Sequence, residues 1–429
     1  MTKEKISIFW FRRDLRLEDN IGLIVALKDE NPILPLFIFD EEIVSELEKD
    51  DSRICFIYDS LSSISENLKT MGSNILVEKG TTTDVWKKLL EVYEIQNVYC
   101  NEDYEPYAIQ RDKIIADLCK GKGVEFTQYK DQVIFEKNEI LKNDGNPYTV
   151  FTPYKRKWLV KFQENEMKIL KEEKVPFNFY RVKLSFPKLQ DLGFVASKIK
   201  VKQYQINNLE NYKETRDFPS LDATSNLSPH LRFGTVSIRY LVKKLKHNEV
   251  FLSELIWREF FMQILFHFPS VISGNFKKKY DTINWRNNVE EFEKWKTGTT
   301  GYPMVDAGMR ELNATGYMHN RIRMVVAGFL CKHLLIDWRW GEAYFAQKLL
   351  DYELSSNNGN WQWAAGTGCD AAPYFRVFNP TTQLQKFDAK GIYIRKWIPE
   401  FDSLEYPHPM VDHKMARERA IETYKKGLA

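Results

Sequence analysis

Two hydrophobic rhythms run along the 429 residues. Over the first 130, short apolar runs rich in β-branched and aromatic residues recur: ISIFWF (6–11), ILPLFIF (33–39), NILVEK (74–79), NVYCNE (97–102) and VEFTQY (124–129). Runs of this length suit strands buried on both faces. Between them, residues 21–29, 54–70, 83–94 and 107–120 repeat apolar positions at helical spacing, and Asp84 or a nearby threonine is placed to cap the third of these helices. Strand–helix alternation predicts a Rossmann-like parallel sheet covered by helices on both faces. No GxGxxG follows the first strand, so the dinucleotide fingerprint is missing.

Beyond residue 130 the rhythm breaks. Residues 131–200 hold a basic, aromatic patch, FTPYKRKWL, and prolines at 176 and 187, which predict a long connector between domains. From 201 to 429 the pattern is helical, without a repeat period, and eight of the eleven tryptophans fall there. The expected fold class is α/β plus all-α: an α/β domain over 1–130, the connector over 131–200 and a helical domain over 201–429.

Composition narrows the class. A hydrophobic fraction of 43% and a charged fraction of 28% are those of a globular chain. The start, MTKEKISIFWFRRDLRLEDN, is too charged for a secretory signal, and MVVAGFLCKHLLI, the longest apolar run, is interrupted by Lys332 and His333. Cysteines 55, 100, 119, 331 and 369 form no CxxC pair, and the seven histidines show no HExxH spacing. These features predict a soluble protein of the cytoplasm, with neither a disulfide framework nor a metal site. The net charge of +3 divides unevenly: residues 1–195 carry 29 Lys+Arg against 34 Asp+Glu, residues 196–429 carry 33 against 25. A basic second half suits a polyanionic partner, although scattered solvated charge gives the same count.

Four stretches carry candidate chemistry. In ELIWREFF, Glu254, Trp257 and Arg258 fall at i, i+3 and i+4, one helix face with an acid, a flat ring and a guanidinium. A surface ion pair beside a core tryptophan would read the same way. In TGYMHNRIRMVVAGFL, Asn320 and Met324 are i, i+4 neighbours flanked by Arg321 and Arg323, suited to a pocket for a base or to a solvated helix. In the stretch 216–237, Thr224, Ser225 and Ser228 precede Pro229, a helix-capping turn that also suits phosphate. DYELSSNNGNWQW sets Asp351 and Glu353 beside paired asparagines and two tryptophans, with Arg323 as a candidate partner for the acids. A glycosidase-type carboxylate pair is a further reading of that stretch.

Together and in this order, FWFRRDLRLEDN (9–20), YKETRDFP (212–219), TSNLSPHLRFG (224–234), ELIWREFF (254–261), TGYPMVDAGMREL (300–312), MHNRIRM (318–324), LLIDWRWGE (334–342) and NNGNWQWAAGTGCDAAPYFRVFNP (357–380) resemble the photolyase/cryptochrome family, most closely its class I cyclobutane pyrimidine dimer photolyases. The resemblance implies an N-terminal α/β antenna domain, a C-terminal helical domain holding FAD, and light-driven repair of UV-damaged DNA. It places Tyr212, Thr224, Ser225, Leu227, Arg258, Arg323, Asp351 and Glu353 around the flavin, with Arg323 and Asp351 as an ion pair. Glu353 replaces an acid that is usually Asp in the family. Asn357 matches the residue facing flavin N5, where plant and animal cryptochromes usually carry Asp or Cys.

The resemblance further implies an electron route Trp361–Trp338–Trp285 that reduces photoexcited flavin. It assigns Trp257 and Trp363 to stacking on the flipped-out lesion, Glu254, Asn320 and Met324 to the paired pyrimidines, and Arg216, Arg321 and Arg376 to DNA phosphates. Glu254 is expected to be buried and protonated. Asn320 and Met324 stand where relatives acting on 6-4 photoproducts carry two histidines, which favours cyclobutane dimers. A second antenna chromophore of unassigned identity is compatible with Phe39, Asp40, Arg53 and Glu105 lining a cleft. The implied protein is a monomer of bacterial type without an obligatory protein partner. A blue-light receptor and a 6-4 photolyase are the alternatives.

Overall fold

The computed structural model describes residues 4–429 except 172, 175 and 208, and the chain separates into two compact units. The first comprises Met1–Ile140, Lys157–Gln203 and Leu227–Leu252; the second comprises Leu141–Arg156, Tyr204–Asn226 and Ser253–Ala429.

The first unit is built on five parallel strands, β1 (Lys5–Phe11), β2 (Ile33–Asp40), β3 (Leu76–Gly80), β4 (Glu94–Asn101) and β5 (Glu125–Tyr129), in the order β3-β2-β1-β4-β5. Helices α1 (Ile21–Ala26), α2 (Ser52–Thr70), α3 (Thr82–Val92) and α4 (Pro106–Lys120) connect them. Alternation along the central strands supplies both layers. Phe9, Phe11, Phe37 and Phe39 join Ile54 and Leu61 of α2 on one face, while Ile8, Trp10, Leu36 and Ile38 join Trp86 of α3 and Ile115 of α4 on the other. Thr81 caps α3: its hydroxyl accepts from the Asp84 N–H at 3.3 Å and donates to the Asp84 carboxylate at 2.8 Å.

The contacts draw other boundaries than 130 and 200. Residues 131–200 are no free connector: they include α5 (Phe151–Ile169), and their last part is bonded into the α/β unit, with Tyr180 N–H on Ile33 O (2.8 Å) and Lys79 Nζ on Leu192 O (2.8 Å). Residues 227–252 belong there too. Arg239 donates to Asp131 Oδ1 at 2.8 Å and Asp19 Oδ1 at 3.0 Å, and Arg16 forks both Asp131 oxygens at 2.8 Å. Gly234 turns beside them at φ +64°, where a Cβ would fall 2.1 Å from Arg13 O. Only glycine fits.

The second unit is helical and has no named strand among its described residues. Its main elements are α6 (Glu249–His267, from Ser253 onward), α7 (Pro303–Thr315), α8 (Asn320–Gly328), α9 (Trp338–Lys348), α10 (Leu354–Ala365) and α11 (His413–Leu428). A core of Trp295, Met304, Ile322, Val326, Leu330, Trp338, Phe345 and Trp361 holds them together. α9 passes so close to α10 that a Cβ on Gly341 would lie 2.1 Å from the Trp361 ring.

Candidate active site

α8, α9 and α10 line a pocket that is partly open to solvent. Its walls bring together Asn320, Arg323, Met324, Asp351, Glu353, Asn357, Trp361 and Trp363, residues spread over 44 positions of the chain. Helical spacing explains the convergence: Asn320 and Met324 rise one turn apart on α8, and Asn357, Trp361 and Trp363 follow on α10. Arg323 Nη2 donates to Asp351 Oδ1 and Oδ2 at 3.1 and 2.8 Å, and its Nε donates to Met318 O at 2.8 Å. The Asp351 side chain is only 6% exposed, so this charge is held by its partner. Asn357 is 8% exposed, and its amide donates to Glu342 Oε1 (2.8 Å) and Glu342 O (3.1 Å). Burial lifts the Glu342 carboxyl above its ordinary range against that bond. Glu342 went unassigned in the sequence, although it ends the stretch LLIDWRWGE. Glu353 is buried and accepts from the Ser355 hydroxyl at 3.5 Å.

A second cluster gathers on α6. Trp257 lies in a parallel stack on Phe151, centroids 3.6 Å apart and planes at 9°, with Phe261 at 5.4 Å. Phe151 is anchored by its own N–H on Asp370 Oδ2 at 3.1 Å. The chain pattern gave no sign of it, because stacking pairs distant in sequence leave no periodicity. Glu254 departs from expectation. Its side chain is 33% exposed and ion-paired with Arg216, not buried. Arg216 is thereby engaged with an acid, as is Arg321, which donates to Asp217 Oδ1 at 2.8 Å and lies 4.3 Å from the Phe387 ring centroid. Arg376 is exposed, 5.3 Å from the Phe378 ring centroid. His319 caps α8 by accepting from Arg321 N–H at 3.1 Å, and burial drops its imidazole to about 4.

Trp361 and Trp338 are almost fully buried, and Trp285 is partly exposed. Trp338 Nε1 donates to Asn275 Oδ1 at 2.9 Å, and Trp361 meets Phe345 edge-on at 4.9 Å. Trp295, unassigned in the sequence, stands 6.1 Å from Trp361. Tyr212, Thr224 and Ser225 belong to the second unit and Leu227 to the first, the division falling after Asn226, whose φ is +53°. Arg258 lies on α6 beside Trp257. In the α/β unit, Phe39 is a core residue 2% exposed, Asp40 accepts from Tyr107 Oη at 2.5 Å, Arg53 forks Asp51, and Glu105 pairs with Arg13 at 3.0 Å and Arg232 at 3.2 Å. Each of the four serves a separate local contact.

Among the described residues no cluster of His, Cys, Asp or Glu is placed to hold a metal, and no helix is long and apolar enough to cross a membrane.

A pocket lined by indoles, amides and one paired carboxylate is that of a protein binding a flat, hydrogen-bonding ligand. Comparison with known proteins names the class. Residues 7–175 match the DNA photolyase family, and residues 251–405 match the FAD binding domain of DNA photolyase. A deoxyribodipyrimidine photo-lyase of Halobacterium salinarum is 35% identical over 98% of this chain and 99% of its own length. The crystal structure of an archaeal photolyase from Sulfolobus tokodaii with two FAD molecules shares 36% identity and a TM-score of 0.84 over 98% of this chain and 99% of that one. A bacterial class III photolyase from Agrobacterium tumefaciens shares 32% identity and a TM-score of 0.84 over 100% and 98%. The chain belongs to the DNA photolyase family, and its helical unit carries the family's FAD binding domain. The pocket's lining fits that cofactor: the Arg323–Asp351 pair and the Asn357 amide give hydrogen-bonding edges beside the Trp361 ring.

Proposed function

We propose that this chain is a deoxyribodipyrimidine photo-lyase that splits cyclobutane pyrimidine dimers in UV-damaged DNA. The observation that carries the reading is the convergence of Asn320, Met324 and Trp363 with Asn357 and the Arg323–Asp351 pair on one pocket. FAD held in this pocket in its reduced form would supply light-driven electron transfer to the dimer, with no net redox change. The protein's part is to hold, orient and shield. Arg323, Asp351, Glu353 and Asn357 would hold the ring system, and Glu342 fixes the Asn357 amide. Tyr212, Thr224, Ser225, Leu227 and Arg258 serve the rest of the cofactor. Trp361, Trp338 and Trp285 form the route that restores the reduced state.

Lesion recognition is assigned to the open side. A dimer must leave the duplex to reach the pocket, and its poor stacking and pairing lower that cost. Trp363 and Trp257 offer flat faces to it, Asn320 hydrogen-bonds the pyrimidine edge, and Met324 packs against the ring. Arg216, Arg321 and Arg376 take phosphates on either side. The Arg216–Glu254 pair gives this assignment a working form: a phosphate that captures Arg216 frees Glu254 for the pyrimidine edge. Residues of the α/β unit serve as the antenna portion of the family, where a second chromophore is a family option.

The test is repair, by flavin-reduced protein, of oligonucleotides carrying either a cyclobutane dimer or a 6-4 photoproduct, in blue light and in the dark. Light-dependent recovery of thymine from the dimer alone is expected. Recovery only from the 6-4 substrate would overturn the assignment of Asn320 and Met324, and recovery from neither, with damaged DNA bound, would overturn the enzymatic reading.

A further inference from the structure

Trp338, the middle member of the assigned electron route, is 1% exposed, so its indole N–H meets protein rather than solvent. Its partner is Asn275, itself 2% exposed, whose Oδ1 accepts from Trp338 Nε1 at 2.9 Å. Asn275 Nδ2 donates in turn to Asp281 Oδ1 at 2.7 Å. These neighbours fix the direction of the amide. An indole only donates and an ionised carboxylate only accepts, so the amide oxygen faces Trp338 and its NH2 faces Asp281. Asp281 is exposed, with Lys278 Nζ at 3.9 Å. The Arg339 guanidinium lies 4.8 Å from the centroid of the Trp338 ring and forks Asp337 at 2.9 and 3.1 Å. Trp285 is tied to the same place: Arg286 N–H donates to Leu335 O at 2.7 Å, and Asp337 N–H donates to Asn287 Oδ1 at 2.8 Å.

We propose that Asn275 is a positioning residue of the electron route: it holds the Trp338 N–H on an oxygen that cannot take the proton, so Trp338 passes positive charge outward instead of trapping it. The proposal rests on the electron-transfer assignment of Trp361, Trp338 and Trp285. One electron passes from Trp338 to the Trp361 radical cation, which becomes neutral. Trp338 is left as a radical cation with its N–H bond intact. One electron from Trp285 then restores neutral Trp338. The partly exposed Trp285 indole gives its N–H proton to water and remains as a neutral radical. The oxidising equivalent originates in light absorbed by oxidised flavin.

The chemistry of the indole explains why its partner matters. Loss of an electron turns the N–H into a strong acid. A carboxylate or imidazole within reach would take that proton, and the neutral radical left behind could accept an electron from Trp285 only by recovering a proton as well. No carboxylate or imidazole among the described residues is bonded to the Trp338 N–H. An amide oxygen is a weak base, and the amide N–H beyond it stays on Asn275, so Asp281 contributes negative charge without a proton path. The Trp338–Asn275 bond strengthens once the indole is charged, which eases the first step. Arg339 favours the second step, because a guanidinium against the ring disfavours a lasting positive charge there, an effect that Asp337 offsets in part.

The experiment is flash excitation of the holoprotein with oxidised flavin in a Trp285→Phe background, which leaves the charge on Trp338. Tryptophan radical cation and neutral radical are followed by their separate absorption bands. With Asn275 in place the cation should persist until it recovers its electron, at a rate independent of pH. Exchanging the two groups, Asn275→Asp with Asp281→Asn, keeps both hydrogen bonds and puts the carboxylate on the indole. The neutral Trp338 radical should then form, and with Trp285 restored the Trp285 radical should be lost. Retained flavin reports a folded variant, and Trp285→Phe alone decides the question if the exchanged variant loses its flavin. In the dark, ¹⁵N NMR of the wild type should show the Trp338 indole N–H exchanging with solvent far more slowly than that of Trp285. A prompt neutral radical at Trp338 with Asn275 in place, a cation that persists unchanged in the exchanged variant, or a Trp338 N–H that exchanges as fast as that of Trp285 would each overturn the proposal. A Trp361 radical cation that never passes to Trp338 overturns the electron-transfer assignment with it.

Discussion

In the α/β unit, Asp131 is 2% exposed and lies between two guanidiniums, Arg16 and Arg239; in the helical unit, Lys332 is equally buried and meets a carbonyl and the face of a phenol. Burial would lift the Asp131 carboxyl, but the two arginines outweigh it and hold it at about 2. Burial pulls Lys332 down to about 7 with little to oppose it. The α/β unit meets this buried charge with opposite charge, while nearby Asp14, bonded to the Asn20 and Asn101 amides, is lifted by burial. The other leaves polar groups bonded but adjustable: Asn357 on Glu342, Arg216 on Glu254, Lys332 on Ala365. The first pattern fixes a scaffold, and the second suits a site whose partners exchange during a reaction.

Substitutions can break that contrast. The largest effect is expected from Asp131→Ala, which leaves two guanidiniums buried without their anion and should cost about 3–5 kcal/mol in urea unfolding. Nearly as large is the pH response of Lys332. Its folded pKa lies below the unfolded value of about 10.4, so the unfolded state binds more protons between the two. Stability should therefore rise from about pH 7 toward pH 10, by up to about 4 kcal/mol. Lys332→Met should abolish that rise, and an unchanged slope would show that another group titrates.

A smaller effect is expected at Phe151. Its stack on Trp257 is worth about 1 kcal/mol. Phe151→Ala should weaken dark binding of dimer-bearing DNA roughly fivefold while leaving repair per absorbed photon unchanged. A loss in the photon yield instead would move Phe151 from positioning Trp257 to the chemistry itself.

Much of the fold is legible in the chain. Continuous runs such as ILPLFIF mark strands buried on both faces, and β2 is buried along its whole length. The short turn Glu41–Val44, capped by Asp40, escapes notice because four residues carry no helical period. Domain limits are less legible. Residues 176–203 look irregular in sequence, yet they are bonded through backbone carbonyls, which any residue supplies. For the site, helical spacing finds the face that Asn320 and Met324 share, the acidic stretch offers Asp351 with Arg323 as its partner, and resemblance gives Asn357 its role. Neither reveals Glu342, Phe151 or Lys332, whose roles arise from contacts across long sequence separations. The expectation of a buried Glu254 misses for the same reason: its partner Arg216 lies 38 residues away.

The central claim concerns two neighbours on α10: Trp361, 2% exposed within the core, and Trp363 on the pocket wall. They are assigned to different reactions. The direct measurement is dimer repair per absorbed photon by enzyme reduced beforehand, under anaerobic conditions and saturating DNA, for Trp361→Phe and Trp363→Ala, with dark controls and with photoreduction of the oxidised forms followed in parallel. Trp361→Phe should repair as the wild type does and lose photoreduction, while Trp363→Ala should keep photoreduction and require about tenfold more DNA to saturate. Equal loss of both activities in Trp361→Phe, or unaltered DNA saturation in Trp363→Ala, would contradict it.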